Sequence, residues 1–167
     1  MKSVAAIPSK ILTLQQLIAE TNRWRLKNKS IAFTNGVFDI LHEGHIASLS
    51  QAASLADILI IAVNGDESVK RLKGPGRPVN NEYSRALLLA SMALSDAVII
   101  FHEDTPAELI KLILPDVLVK GGDYAIEDIA GASEVLANGG KVILADIVQG
   151  ISTTGIINKI QTYRQPK

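Results

Sequence analysis

Apolar positions along the chain follow two alternating periods. Leu14, Leu17, Ile18, Thr21 and Trp24 recur at helical spacing behind Thr13, a residue able to cap a first turn, so the chain opens on an amphipathic helix. Ile31-Ala-Phe33 is a short apolar run ending in Asn35-Gly36, and Ile46, Leu49, Ala53 and Ala56 then mark one face of a second helix. Ile58-Leu-Ile-Ile-Ala-Val63 is a continuous β-branched run, the pattern of a strand covered on both faces, and it stops at Asn64-Gly65-Asp66. From Val69 to Asn81 the chain is basic and rich in Gly and Pro, which predicts a mobile loop. A helix follows with Tyr83, Ala86, Leu87, Ala90 and Leu94 on one face, then a strand over Ala97–Phe101. Thr105-Pro-Ala-Glu108 has the form of a capping box with Pro at the first helical position, and the helix it opens should bury Leu109, Ile110 and Ile113. Val117–Val119 and Val142–Ala145 are two further strands, the second preceded by a helix ending at Asn138-Gly-Gly140. Ser152 or Thr153 caps a last helix carrying Ile156, Ile157 and Ile160.

Strands alternating with helices predict an α/β fold: a Rossmann-like, doubly wound sheet of five parallel strands with an extra N-terminal helix. Residues 1–29 read as a helical extension packed on the domain and residues 30–167 as the domain itself, one domain overall. Ligands on such sheets sit beyond the carboxyl ends of the strands, near the point where strand order reverses. The unusual polar residues cluster at those ends: Thr34–His45, Asn64–Asp66 and Lys120–Asp123.

Composition narrows the chemistry. The 167 residues are 47% apolar, and 17 Lys+Arg balance 17 Asp+Glu, so no global charge recruits nucleic acid or an anionic membrane. With no cysteine, disulfides, zinc-thiolate centres and thiol nucleophiles are excluded. Pro8, Ser9 and Lys10 interrupt the N-terminus before a signal-peptide core can form, and no apolar window approaches the ~20 residues of a membrane span. A cytoplasmic protein is expected; Asn28-Lys-Ser30 is a sequon by chance.

Neither a Gly-x-x-x-x-Gly-Lys-Ser/Thr loop nor a Gly-x-Gly-x-x-Gly fingerprint is present, and only Asp39 stands where a receiver domain would cluster carboxylates. His42-Glu-Gly-His45 takes their place. Two imidazoles three apart, astride a helix start with Gly44 between them, can face an anion held by the helix's free N–H groups. Gly44 lets a phosphate approach the backbone. Imidazole donors suit the charge on a transferring phosphoryl group. The alternatives are satisfied histidines of no chemical role, or a metal pair, which lacks a third His or Cys nearby. Ser152, Thr153 and Thr154 read as a cap; Lys70, Lys73, Arg77 and Arg85 read as a solvated face or as a cluster able to close on an anion. Asp39 reads, on the residues alone, as a turn or cap carboxylate. Tyr83 and Trp24 are assigned to packing and His102 to a loop.

Thr34-Asn-Gly-Val-Phe-Asp-Ile-Leu-His-Glu-Gly-His45, with Gly150-Ile-Ser-Thr-Thr-Gly-Ile-Ile157 near the C-terminus, resembles the two signature motifs of the nucleotidyltransferase superfamily that includes the cytidylyltransferases. Asn64-Gly-Asp-Glu-Ser-Val-Lys-Arg-Leu-Lys-Gly-Pro75, Arg77-Pro78, Glu103-Asp-Thr-Pro106 and Pro115-Asp-Val-Leu-Val-Lys-Gly-Gly-Asp-Tyr124 narrow the similarity to the adenylyltransferases that form ADP-heptose. The resemblance implies ATP and D-glycero-β-D-manno-heptose 1-phosphate as substrates, Mg²⁺ with the ATP and no organic cofactor. It also implies a homodimer, and a separate kinase to supply the sugar phosphate. It implies His42, His45, Lys73 and Arg85 as catalytic residues. Nucleotide binding falls to Thr34, Asn35, Gly36, Phe38, Gly44, Lys120, Gly121, Gly122, Asp123, Ser152, Thr153 and Thr154, and sugar binding to Asp39, Asn64 and Arg77. Ile147 stands where glycerol-phosphate cytidylyltransferases carry Arg, which weighs against CTP and glycerol 3-phosphate. A non-catalytic flavodoxin-like binding module is the remaining rival.

Overall fold

The computed structural model describes residues 4–122, 124–146 and 148–163. Five parallel strands form one sheet in the order β3-β2-β1-β4-β5: β1 (Ile31–Gly36), β2 (Ile58–Asn64), β3 (Ala97–Phe101), β4 (Val117–Gly121) and β5 (Lys141–Ala145). The chain builds outward from β1 to β3, then returns to place β4 on β1's other side. Strand order therefore reverses between β1 and β4, where Thr34 pairs with Ile61 on one side and Val119 on the other.

Side chains alternate across each strand, so each continuous apolar run feeds two cores. One core joins Phe33, Ile60, Ile99 and Leu118 to Leu17 of α1 (Leu14–Leu26), Ile110 and Ile113 of α5 (Ala107–Ile113), and Val135 of α6 (Ala132–Ala137). The other joins Ala32, Leu59, Ile61, Val98 and Val119 to Leu49 and Ala52 of α2 (Glu43–Ala53) and to Ala86 and Leu89 of α4 (Glu82–Ala90). Trp24 packs on the first core. At the sheet's outer edge, Ile11 bridges to Val98 and the Leu12 N–H donates to the Val98 carbonyl at 2.8 Å.

Thr13 does cap α1, in a reciprocal box with Gln16. Three expectations change. The segment expected to be loop from Val69 is in its first part a helix, α3 (Asp66–Lys73), that ends at Gly74 with φ +94°. Asp66 and Glu67 at its start and Lys70, Arg71 and Lys73 at its end complement the helix dipole, and Val69 is buried, so the basic residues are a helical last turn. Helix α5 begins at Ala107 with Pro106 as N-cap and no side-chain cap bond, so Thr105 does not cap it. Tyr83 is 54% exposed and does not pack in the core. The last helix, α7 (Thr153–Tyr163), is capped by Ser152, whose Oγ accepts from the Gly155 N–H at 3.0 Å, yet it buries no residue. Among the described residues no helix is long and apolar enough to cross a membrane.

Candidate functional site

Past β1 the backbone turns sharply. Phe38 adopts φ +49°, the left-handed region, and its buried ring lies across Gly36, where an added Cβ would stand 3.1 Å from it. His42, in extended conformation, is the N-cap of α2, and His45 sits in that helix's first turn. The imidazoles stack, with centroids 3.9 Å apart and planes 25° apart, and the Phe38 ring meets His45 edge-on at 5.4 Å. A Cβ on Gly44 would come within 3.1 Å of the His42 ring and 3.5 Å of Ile151, so a glycine there lets the Ile-Ser-Thr-Thr motif close over the histidine turn. The Nδ1 atoms of both histidines are buried without a hydrogen-bond partner.

Burial, and then the neighbouring His42 charge, hold His45 down at about 4. Burial also lowers His42, with Glu43 pulling the other way. At neutral pH the pair is therefore uncharged, each ring offering one donor and one acceptor. The α2 N-terminus adds backbone N–H groups that have no partner within the helix.

This pair lies in an open cleft of about 740 Å³ along the carboxyl ends of the strands. Thr34, Asn35, Gly36, Phe38, Gly44, Asn64, Lys73, Lys120, Gly121, Gly122, Ser152, Thr153 and Thr154 line it together. Lys120 is half-buried; its Nζ donates to Asn35 Oδ1 at 3.2 Å and lies 5.8 Å from the Tyr124 ring centre. Burial, reinforced by the charge of Lys73, pushes the Lys120 ammonium below its usual range. Among the described residues neither lysine has a carboxylate in salt-bridge range, so both cations are left to meet an anion. Asp123 and Ile147 lie outside the described residues.

Three charged residues stand differently from the expectation. Asp39 borders the cleft, but its side chain is wholly buried and binds the chain itself: it accepts from Arg77 Nε at 2.7 Å and from the Val79 and Asn80 N–H groups at 2.8 Å. Burial raises this carboxyl, but the Asn80 and Val79 N–H groups and the Arg77 guanidinium outweigh it and hold it below its usual value. Asp39 thus holds the segment at Arg77, Val79 and Asn80. Arg77 is thereby committed as well, although it too borders the cleft. Arg85 is 0% exposed and does not line the cleft, because backbone carbonyls and Asp66 draw its guanidinium inward. Lys70 is an exposed partner of Glu67, the solvated face. Asn64 is buried, its Nδ2 on Ser68 Oγ at 3.1 Å.

Some lining residues escaped the sequence reading. Ser48 sits one turn beyond His45 on the same helix face, which helical spacing could have indicated. Asp104, Thr105 and Pro106 follow β3, where the strand-end rule points. Tyr124 and Ile151 stand inside the quoted motifs but were given no role there.

Residues 33–159 match the family model described as cytidylyltransferase-like. The chain is 53% identical over 138 residues to the bifunctional protein HldE of Mesorhizobium japonicum, covering 83% of this chain and 28% of that protein. It is 52% identical over 154 residues to the HldE of Aliivibrio fischeri, covering 92% and 32%. It thus spans about a third of the length of these relatives. A solved lipopolysaccharide core biosynthesis protein from Thermoplasma volcanium superimposes with TM-score 0.57 at 29% identity, covering 72% of this chain and 97% of that one. A pantoate-beta-alanine ligase from Francisella tularensis, at TM-score 0.59 and 16% identity over 92% of this chain and 78% of its own, shares the fold. The stacked histidines at a helix start, the strand order and the matched span agree: the chain belongs to the cytidylyltransferase-like family of nucleotidyltransferases.

Proposed function

We propose that the protein transfers the adenylyl group of ATP to D-glycero-β-D-manno-heptose 1-phosphate, giving ADP-heptose and pyrophosphate for surface-polysaccharide synthesis. The observation that carries the phosphate chemistry is the His42–His45 stack at the α2 N-terminus, with both Nδ1 atoms unpartnered. The sugar follows from the heptose-type motifs and from the HldE relatives.

In this reading the sugar phosphate oxygen attacks the α-phosphorus in line, and the bond to the pyrophosphate oxygen breaks as the new one forms. No enzyme-bound intermediate is required. His42 and His45 donate to the α-phosphate as it becomes five-coordinate, and the gathering negative charge favours their protonation. Lys73 and Lys120 face the other phosphates, and Ser152, Thr153 and Thr154 add hydroxyls and the N–H groups of α7. Gly121 and Gly122 border the nucleoside, while Asn64 borders the sugar. A Mg²⁺ ion entering with ATP would offset the charge of the phosphates, and among the described residues, Asp39 apart, Asp104, Asp128 and Asp146 are the carboxylates that line the cleft within which it would sit. We place the enzyme in the cytoplasm as a homodimer supplied by a sugar-phosphate kinase.

Pyrophosphate release from each nucleoside triphosphate with a panel of sugar and polyol phosphates tests this. Release with ATP and the heptose phosphate is expected. Release only with CTP and glycerol 3-phosphate would replace the substrates, and no release with any pair would leave a binding module.

A further inference from the structure

Arg85 heads the fully buried side chains by size, and the chemistry of the cleft makes no use of it. From α4 its guanidinium reaches three segments. Nε donates to the Asn80 carbonyl at 2.9 Å, Nη1 to the Val37 carbonyl at 2.6 Å, and Nη2 to the Asp66 carboxylate at 2.7 Å. These belong to the loop before α4, the turn after β1 and the start of α3. Asn80 carries the same tie further: its Nδ2 donates to the Asp39 carbonyl at 2.7 Å while its N–H meets the Asp39 carboxylate.

The turn after β1 is thus held from both sides of one residue, at the carbonyls of Val37 and Asp39. That residue is Phe38, whose φ of +49° an L side chain adopts only where its surroundings enforce it. The enforced conformation lays the ring edge-on to His45, which in turn stacks on His42.

We propose that Arg85 is a positioning residue, which through the Val37 carbonyl keeps Phe38 in its left-handed conformation and so sets the His45 ring in the stack, without touching the nucleotide. A planar fork with donors in divergent directions suits three acceptors on three segments, and lysine's single ammonium does not reproduce it. The proposal rests on the phosphate role given above to the two histidines. The groups that bear on His45 are His42, stacked on it, and Glu43, acting on His42.

The chain has three histidines, so their ring signals can be followed individually by NMR during a pH titration. In the substrate-free protein His45 should titrate at about 4. Arg85→Lys should move it toward the ordinary histidine value. Phe38→Leu, with Arg85 intact, should do the same. In turnover, Arg85→Lys should lower kcat by roughly 10- to 100-fold with KM for ATP within about threefold, the signature of a group that acts in the transition state rather than in binding. Unchanged His45 titration and kcat in folded Arg85→Lys would overturn the proposal, as would a raised KM with unchanged kcat, which would make Arg85 a ligand of the substrate. Should Arg85→Lys not fold, an unchanged His45 titration in folded Phe38→Leu would still overturn the proposal, because the contacts from Arg85 to His45 run through Phe38. Full turnover in folded His45→Ala would sink the phosphate assignment instead, and the titrations, read without substrate, would still judge the Arg85 contact chain.

Discussion

The two walls of the cleft are built in opposite ways. The wall after β1 is anchored from beneath: Asp39 and Arg85 are buried, and between them they bind the turn, the loop before α4 and the start of α3. The wall formed by Ser152–Thr154 opens a helix with no buried residue, joined to its surroundings near the histidines by the approach of Ile151 to Gly44. The first wall needs its geometry before substrate arrives, since two stacked rings and a helix start must be aimed at one phosphorus. The second holds the outer phosphates with hydroxyls and N–H groups, work that tolerates looser placement.

Substitutions on the two sides should therefore behave differently. The largest effect is expected from His45→Ala, with turnover down at least ~100-fold and the thermal midpoint little changed, since positioned charge stabilisers commonly supply that much. Steady-state kinetics beside a melting curve would show it. Asp39→Ala comes next and acts on stability, because it strands Arg77 and two backbone N–H groups at a buried site; a loss of about 3 kcal/mol in chemical denaturation is expected. Ser152→Ala should cost α7 about 1 kcal/mol of capping and weaken ATP binding, with no change in the global unfolding midpoint. If Ser152→Ala destabilised the whole domain as much as Asp39→Ala, the contrast between the walls would be lost.

The last effect is a slope in stability against pH. His45 binds its proton more weakly folded, at about 4, than unfolded at about 6.5, so the unfolded state takes up more protons between those values. Stability should thus be complete above the upper value and decline as pH falls toward the lower one. His45→Gln should flatten that decline. Asp39, lowered in the folded state, adds stability that persists above its unfolded value and is lost only at more acid pH. Denaturant midpoints at pH 7 and pH 5, for the native protein and His45→Gln, measure the difference.

What the residues could reveal in advance follows the same division. Parallel strands covered on both faces must be uniformly apolar, so Ile58–Asn64 is plain in the sequence, and so is the histidine turn, since its residues are neighbours in the chain. Helix α3 hid because Val69 is its one buried apolar residue, set among five charged ones. Arg85 hid for a stronger reason. A charged residue is assigned to the surface by default, and two of its partners are backbone carbonyls, which any residue type supplies. The exposed side of α7 was equally unreadable, because Ile156, Ile157 and Ile160 have helical spacing whether or not anything covers them.

The contact of Ile11 and Leu12 with Val98 bears on how this protein behaves at high concentration. A bare outer strand is a template on which another chain can add itself, and here the molecule's own leading segment occupies that position on β3. Shortening the polypeptide to start at Thr13 would remove this guard and leave β3 open to edge-to-edge aggregation, even with every residue of the cleft intact.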